Sequence, residues 1–199
     1  YDFTIESWDV TRAFLKAVPF KEMYDILKKR GIKSPERQVL ITPPANVWRH
    51  LRDIDQAFRV VQPGCANLWA LECLKAMYGL NDAPLAFQVV MQMFMRDTLG
   101  GRPSAFDDCF YFWMAGPGEL KAVATSYVDD NNNASSTSWL NESFQKFSTR
   151  FGGATRQQPH MMHVGVKHEM TDFGMKMSQD EVCQKLQPAP LNKARTQQD

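Results

Sequence analysis

Two adjacent carboxylates that follow an aromatic and an apolar residue, in Tyr127-Val128-Asp129-Asp130, constrain this chain more than any other feature. Like charges this close repel each other unless a cation or bound water neutralises them. The residues from Leu120 to Val128 alternate and include β-branched and aromatic side chains, the pattern of a strand. Such a strand would deliver Asp129 and Asp130 to the tip of a hairpin. At this point two readings stand, a metal site and an ordinary acidic turn.

A third acid lies far upstream. In the run from Ser7 to Leu15, Asp9 follows an apolar-polar alternation through Phe3, Ile5 and Trp8, as the end of a strand would. Between the two acidic places, the run from Leu74 to Gln88 passes through Tyr78 and Gly79 into Asn81, Asp82 and Pro84, a glycine loop opening a helix. At these three places, in this order, the chain resembles the reverse transcriptase of copia-type retrotransposons. There the matching patterns are a DVxxAFL-like segment, a LYGLxxAP-like segment and the YVDD box. His163 to Val166 is similar to that family's FLGI-type hairpin, and Met177-Ser178-Gln179 to its LSQ segment. The resemblance covers roughly residues 3 to 190.

It implies an α+β polymerase-palm fold, an antiparallel sheet backed by helices with the fingers incomplete. It implies RNA-directed DNA polymerase activity, with deoxynucleoside triphosphates as substrates and an RNA or DNA template carrying a DNA primer. Two magnesium ions, with manganese able to substitute, would be held by Asp9, Asp129 and the Val10 carbonyl, and Asp130 would be the supporting acid. Phe14 takes the place of an aromatic residue under the sugar of the incoming nucleotide, where a flat ring favours deoxynucleotides, and Tyr78 and Gly79 line the nucleotide pocket. Read from the residues alone, Phe14 is equally a core phenylalanine and Gly79 a loop glycine. Further partners implied are the rest of the Pol polyprotein: fingers, RNase H and integrase.

The bulk numbers neither support nor exclude this. The chain has 199 residues, 44% hydrophobic and 23% charged, enough to bury a core in one domain. With 23 basic and 22 acidic side chains there is no global basic field to attract nucleic acid. Cys65, Cys73, Cys109 and Cys183 lack CxxC spacing and read as reduced core thiols, which places the chain inside the cell, cytoplasmic or nuclear and not secreted. No apolar run reaches membrane-spanning length and no signal peptide is visible, so a soluble chain without a membrane partner is expected.

Periodicity predicts helices over 20–30, 46–60, 82–99 and 136–151, and strands over 68–74, 109–114 and 120–128. The helix within about 19–36 reads as an insertion relative to the family. A hairpin turning at 171–174 and a short helix, with Ser178 and Glu181 at capping-box spacing, should close a domain over 1–190, followed by a polar tail, 191–199. His160, His163 and His168 are poor zinc candidates, since positions 160 and 163 of a strand face opposite ways. Met91, Met93 and Met95 read as core packing, and Lys28, Lys29 and Arg30 as a solvated helix end.

Two features depart from the family. Asn131-Asn132-Asn133 stands where an apolar strand is expected, so either the copy is degenerate or the hairpin is distorted. The chain also starts with Tyr1, at the first catalytic strand, which points to a fragment without its fingers. The alternative is therefore a degenerate, non-catalytic palm-fold remnant acting as a nucleic-acid-binding or structural module.

Overall fold

The computed structural model describes residues 3–158, 160–163 and 165–187. Its contacts gather into two compact units where the sequence reads as one. The first takes the N-terminal strand and the chain from Gly100 onward, and the second is Arg12–Leu99. The polar tail lies outside the described residues.

Strand β1 (Thr4–Val10) opens the first unit. The second unit begins with a 3-10 turn at Ala13–Lys16 and helix α1 (Phe20–Lys29), which buries Phe20, Met23, Tyr24 and Leu27 at helical spacing. Gly31, at φ 76°, follows its end, where a side chain would be strained. Lys28, Lys29 and Arg30 are exposed there, with Arg30 Nη1 donating to Gln92 Oε1 at 2.5 Å. Next come β2 (Leu40–Ile41), α2 (Ala45–Ile54), β3 (Leu71–Glu72) and α3 (Ala83–Met93).

Here the structure corrects two expectations. Helix α2 stops at Ile54 instead of running to residue 60, because Asp55 turns extended and its carboxylate accepts from Ala57 N at 2.8 Å, opening a separate 3-10 turn over Gln56–Val60. Trp48, Val61 and Ala66 nonetheless share one small core with Leu51, Phe58 and Leu71, so the helical spacing reported a common core, not one helix. The strand expected over 68–74 shrinks to the two residues of β3, preceded by a 3-10 turn at Pro63–Leu68. Met91 and Met95 are buried and Met93 half-buried, as packing requires, with a π-helical turn at Phe94–Thr98 completing the long helical stretch.

The first unit continues with β4 (Arg102–Pro103), β5 (Phe110–Gly116), β6 (Glu119–Tyr127), β7 (Asp130–Ser135), α4 (Thr137–Phe151), β8 (Ala154–Gln157), β9 (His160–His163), β10 (Val166–Thr171), β11 (Gly174–Ser178) and α5 (Asp180–Lys185). Six strands form an antiparallel sheet in the order β4-β5-β6-β7-β1-β8, and β9, β10 and β11 form a second sheet. The fold class is α+β.

Helix α4 starts at Ser136, whose hydroxyl accepts from Trp139 N at 3.5 Å, and stops at Gly152 with φ 57°. Its stripe Leu140, Phe144, Phe147 and Phe151 covers one face of the large sheet. Trp8 meets Phe144 and Phe147 with ring centroids 5.5 and 5.2 Å apart, and Trp113 meets Trp139 at 5.0 Å. Each such side chain contributes about 1.5–3 kcal/mol by leaving water. Under the same helix lies a charge: Glu6, fully buried, accepts from Trp8 Nε1 at 2.9 Å and from Arg156 Nε at 2.6 Å. Arg156 also donates to Asn141 Oδ1 at 2.7 Å and lies over the Phe144 ring.

Two smaller expectations fail. The N-cap of α5 is Gln179, without a side-chain bond, and Ser178 ends β11, so no capping box forms there. None of the four cysteines belongs to a core. Cys65 and Cys183 are exposed, and Cys73 and Cys109 are half-buried.

Candidate functional site

The acids meet through strand register. Strands β1 and β7 run antiparallel with Asp9 directly opposite Asp130, while Tyr127 lies opposite Asp130 on β6 and Thr155 opposite Asp9 on β8. Directly opposed residues share a face and bring their Cβ atoms to about 4.5–5.5 Å. Tyr127, Asp130, Asp9 and Thr155 therefore form one row across four strands, on the face away from α4. Both carboxylates of this row are half-buried. Opposed like charges destabilise a sheet, so the pair is a place where a cation would be favoured.

Asp129 is placed differently. With Tyr127 paired to Asp130, Val128 and Asp129 are the two loop residues of a tight hairpin. Among the described residues no three His, Cys, Asp or Glu side chains gather closely enough to hold a metal ion. The fold sets Asp9 opposite Asp130, with Asp129 beside them in the turn. Val10 closes β1, buried, opposite Ala154, with its side chain on the α4 face.

The turn itself is strained. Val128 has φ 56°, a left-handed conformation that a β-branched residue adopts at a cost of about 1–3 kcal/mol. Among the described non-glycine residues Arg12, at φ 58°, is the other in this region, two residues beyond β1. Both strained positions flank the acids in sequence.

Strand β7 forms through the asparagines, which supply three of its six residues, so the hairpin is not broken by them. Asn131 and Asn133 are buried under α4 opposite Trp8 and Glu6, and Asn132 shares the other face with Ser7, Thr125 and Asp130. Asn131 Nδ2 donates to the Asp129 carbonyl at 3.0 Å and Asn133 Nδ2 to the Asn131 carbonyl at 3.4 Å. The Oδ1 atoms of all three asparagines have no partner. Each buried orphan costs about 1–3 kcal/mol.

In the second unit, Phe14 and Tyr78 are brought together across a long stretch of sequence, ring centroids 4.9 Å apart. Phe14 is half-buried and Tyr78 is 57% exposed, so this ring pair has an open side. Gly79 follows at φ 89° with nothing within 4 Å of where a Cβ would stand, so its requirement is backbone conformation and not space. Asp82 precedes α3 without capping it. Its carboxylate instead accepts from Arg37 Nε at 2.9 Å and pairs with Arg37 Nη2, which keeps the guanidinium pKa above its ordinary value through that hydrogen bond and the paired charge.

Sequence reasoning missed Thr155 and Asn132 as neighbours of the acids. No local signal marks them, because only the register of distant strands places them there. It also missed Arg37. Of the zinc candidates, His168 is buried with Nδ1 3.0 Å from the Val166 carbonyl, and the side chains of His160 and His163 lie outside the described residues. No helix among the described residues is long and apolar enough to cross a membrane. No family model, curated protein or solved structure matches the chain.

Proposed function

We propose that the chain carries the palm of a copia-type reverse transcriptase, an RNA-directed DNA polymerase that extends a DNA primer on an RNA or DNA template. The observation that supports it best is the register that sets Asp9 of β1 opposite Asp130 of β7, with Asp129 in the adjoining turn. These are the acids of the DVxxAFL-like and YVDD-like segments, remote in sequence and neighbours in the sheet.

The donor set suits magnesium, which favours one or two hard carboxylates together with water and substrate phosphates over a full protein cage. Asp9 and Asp129 would hold it together with the Val10 carbonyl, with Asp130 supporting. Bound there, paired ions would supply the charge stabilisation that nucleotidyl transfer from a deoxynucleoside triphosphate requires. In the second unit the exposed ring of Tyr78, tilted against Phe14, offers an apolar face suited to a sugar, and Gly79 leaves its backbone open to a ligand. Fingers, RNase H and integrase regions of a Pol polyprotein would be its partners.

One observation favours the second reading, a non-catalytic remnant keeping the palm as a nucleic-acid-binding or structural module. The oxygens of Asn131 and Asn133 are orphaned in the core, as they would be in a sequence drifting from an apolar strand. Primer extension separates the two. Joined to a fingers segment of a related enzyme, the chain should extend a primer with magnesium, and Asp129→Asn should abolish this. A joined protein that folds and binds primer-template, yet extends with neither magnesium nor manganese, sinks the polymerase reading and leaves the remnant.

A further inference from the structure

Asn131 occupies an inward position of β7 and is fully buried beneath α4. An apolar side chain would suit this buried position opposite Trp8 and would remove the unmatched Oδ1. What the amide does instead is specific. Nδ2 donates to the carbonyl of Asp129 at 3.0 Å and lies 3.5 Å from the carbonyl of Trp8. One of these belongs to the turn, the other to the residue just before Asp9. The orientation is set by those acceptors, because an oxygen in place of Nδ2 would oppose two carbonyl dipoles. A single side chain thus links the hairpin turn to β1 from behind the acidic row.

The turn needs such a link. Val128 sits in the left-handed region at φ 56°, and a strained backbone of this kind persists only where its surroundings over-determine it. Its neighbours Tyr127 and Asp130 pair across the ladder, but Asp129 lies outside it, and the bond from Asn131 is what holds its carbonyl. Asn133 repeats the pattern two residues further on, reaching only the Asn131 carbonyl, which the strand ladder already fixes.

We propose that Asn131 is a positioning residue. It holds the strained turn so that Asp129 and Asp130 stay presented beside Asp9, and the unmatched Oδ1 is retained for the sake of that bond. This rests on the reading of these acids as a cation-holding site. It separates the asparagines by role, since Asn133 touches neither the turn nor β1 in this way.

The experiment compares wild type, Asn131→Leu and Asn133→Val without metal, measuring 15N order parameters of the Asp129 and Asp130 amides and the thermal midpoint, and then Mn2+ binding by EPR. In the wild type and Asn133→Val the order parameters should lie near the rigid value of about 0.85. In Asn131→Leu they should fall below about 0.6 although the midpoint does not fall. Mn2+ should bind at least tenfold more weakly to Asn131→Leu only. Should that variant fail to fold, Asn131→Thr, too short to reach both carbonyls, takes its place in the same comparison. Unchanged turn order parameters in the folded variant overturn the proposal. A wild type that takes up no Mn2+ overturns the metal-site reading instead, and the order parameters still decide the role of Asn131.

Discussion

In α3 every buried side chain is apolar: Ala83, Ala86, Phe87, Val89, Val90 and Met91. Strand β7 alternates buried and half-buried positions just as regularly, yet its three inward side chains, Asn131, Asn133 and Ser135, are all polar. The helix gains from burial as such, a term that depends on area and volume and hardly on orientation. The strand gains little from area. Its amides and hydroxyl bind backbone carbonyls, Ser135 reaching that of Lys121 at 2.7 Å, so what it contributes is the placement of neighbouring chain. One region supplies stability, the other geometry.

The largest test of that contrast is Phe87→Ala. Phe87 is fully buried, and its truncation should cost about 3–5 kcal/mol, a fall in thermal midpoint on the order of ten degrees at roughly 2–4 °C per kcal/mol for a chain this size. Calorimetry would read it. A loss under about 1 kcal/mol would mean that α3 is not the apolar support it looks like.

Next in size is Glu6→Gln in the polar core. Glutamine keeps an acceptor for Trp8 Nε1 and loses the charge that faces Arg156, so about 1.5–3 kcal/mol should go, the worth of hydrogen bonds to a charged group. Adding Arg156→Gln in that background should cost little more, because the charge it removes has already lost its partner. Equal and additive losses from both substitutions would show that the pair is not coupled.

How much of this could be read beforehand divides along the same line. Apolar stripes were legible: Leu140, Phe144, Phe147 and Phe151 gave α4, with Ser136 and Gly152 as its ends, because capping and periodicity are local. The Tyr127 to Asp130 hairpin was legible for the same reason. Its partner Asp9 was reached only through resemblance, and the residues of the register, Thr155 and Asn132, were not reached, since pairing between remote strands leaves no mark within either one. The extent of α2 was misjudged because the apolar spacing runs past Asp55, a residue that favours caps and competes for the backbone through its own side chain. The asparagine run read as a fault in the strand. Its hydrogen bonds to the turn appear only in three dimensions.

A smaller, opposite effect is expected from Asn133→Val. It removes one buried orphan oxygen and adds apolar area under α4, so stability should rise by about 1–3 kcal/mol. Replacing Asn131 to Asn133 by Val-Leu-Ile should raise the midpoint by several degrees in total. A midpoint that stays level or falls would mean that β7 is not the polar strand in an apolar setting that its burial describes.

The smallest effect sharpens the comparison with the same chemistry in water. Glu142 and Lys146 pair on the solvent side of α4, Nζ to Oε1 at 2.7 Å, one helical turn apart. The hydrogen bond from Lys146, and then its charge, lower the Glu142 pKa below its ordinary value of 4.5. A lowered carboxylate contributes stability that is present above the unfolded pKa and lost as pH falls through the folded one, so any contribution of this pair should disappear as acidification passes the lowered Glu142 pKa. Both side chains are well exposed, at 47% and 69%, and water screens the pair. Lys146→Ala should therefore leave the thermal midpoint at neutral pH within error of the wild type, while NMR titration shows the Glu142 pKa returning upward. A shift of the midpoint comparable to that of Glu6→Gln would contradict the distinction, because it would mean that an ion pair at the surface counts for as much as one whose carboxylate is buried beneath α4.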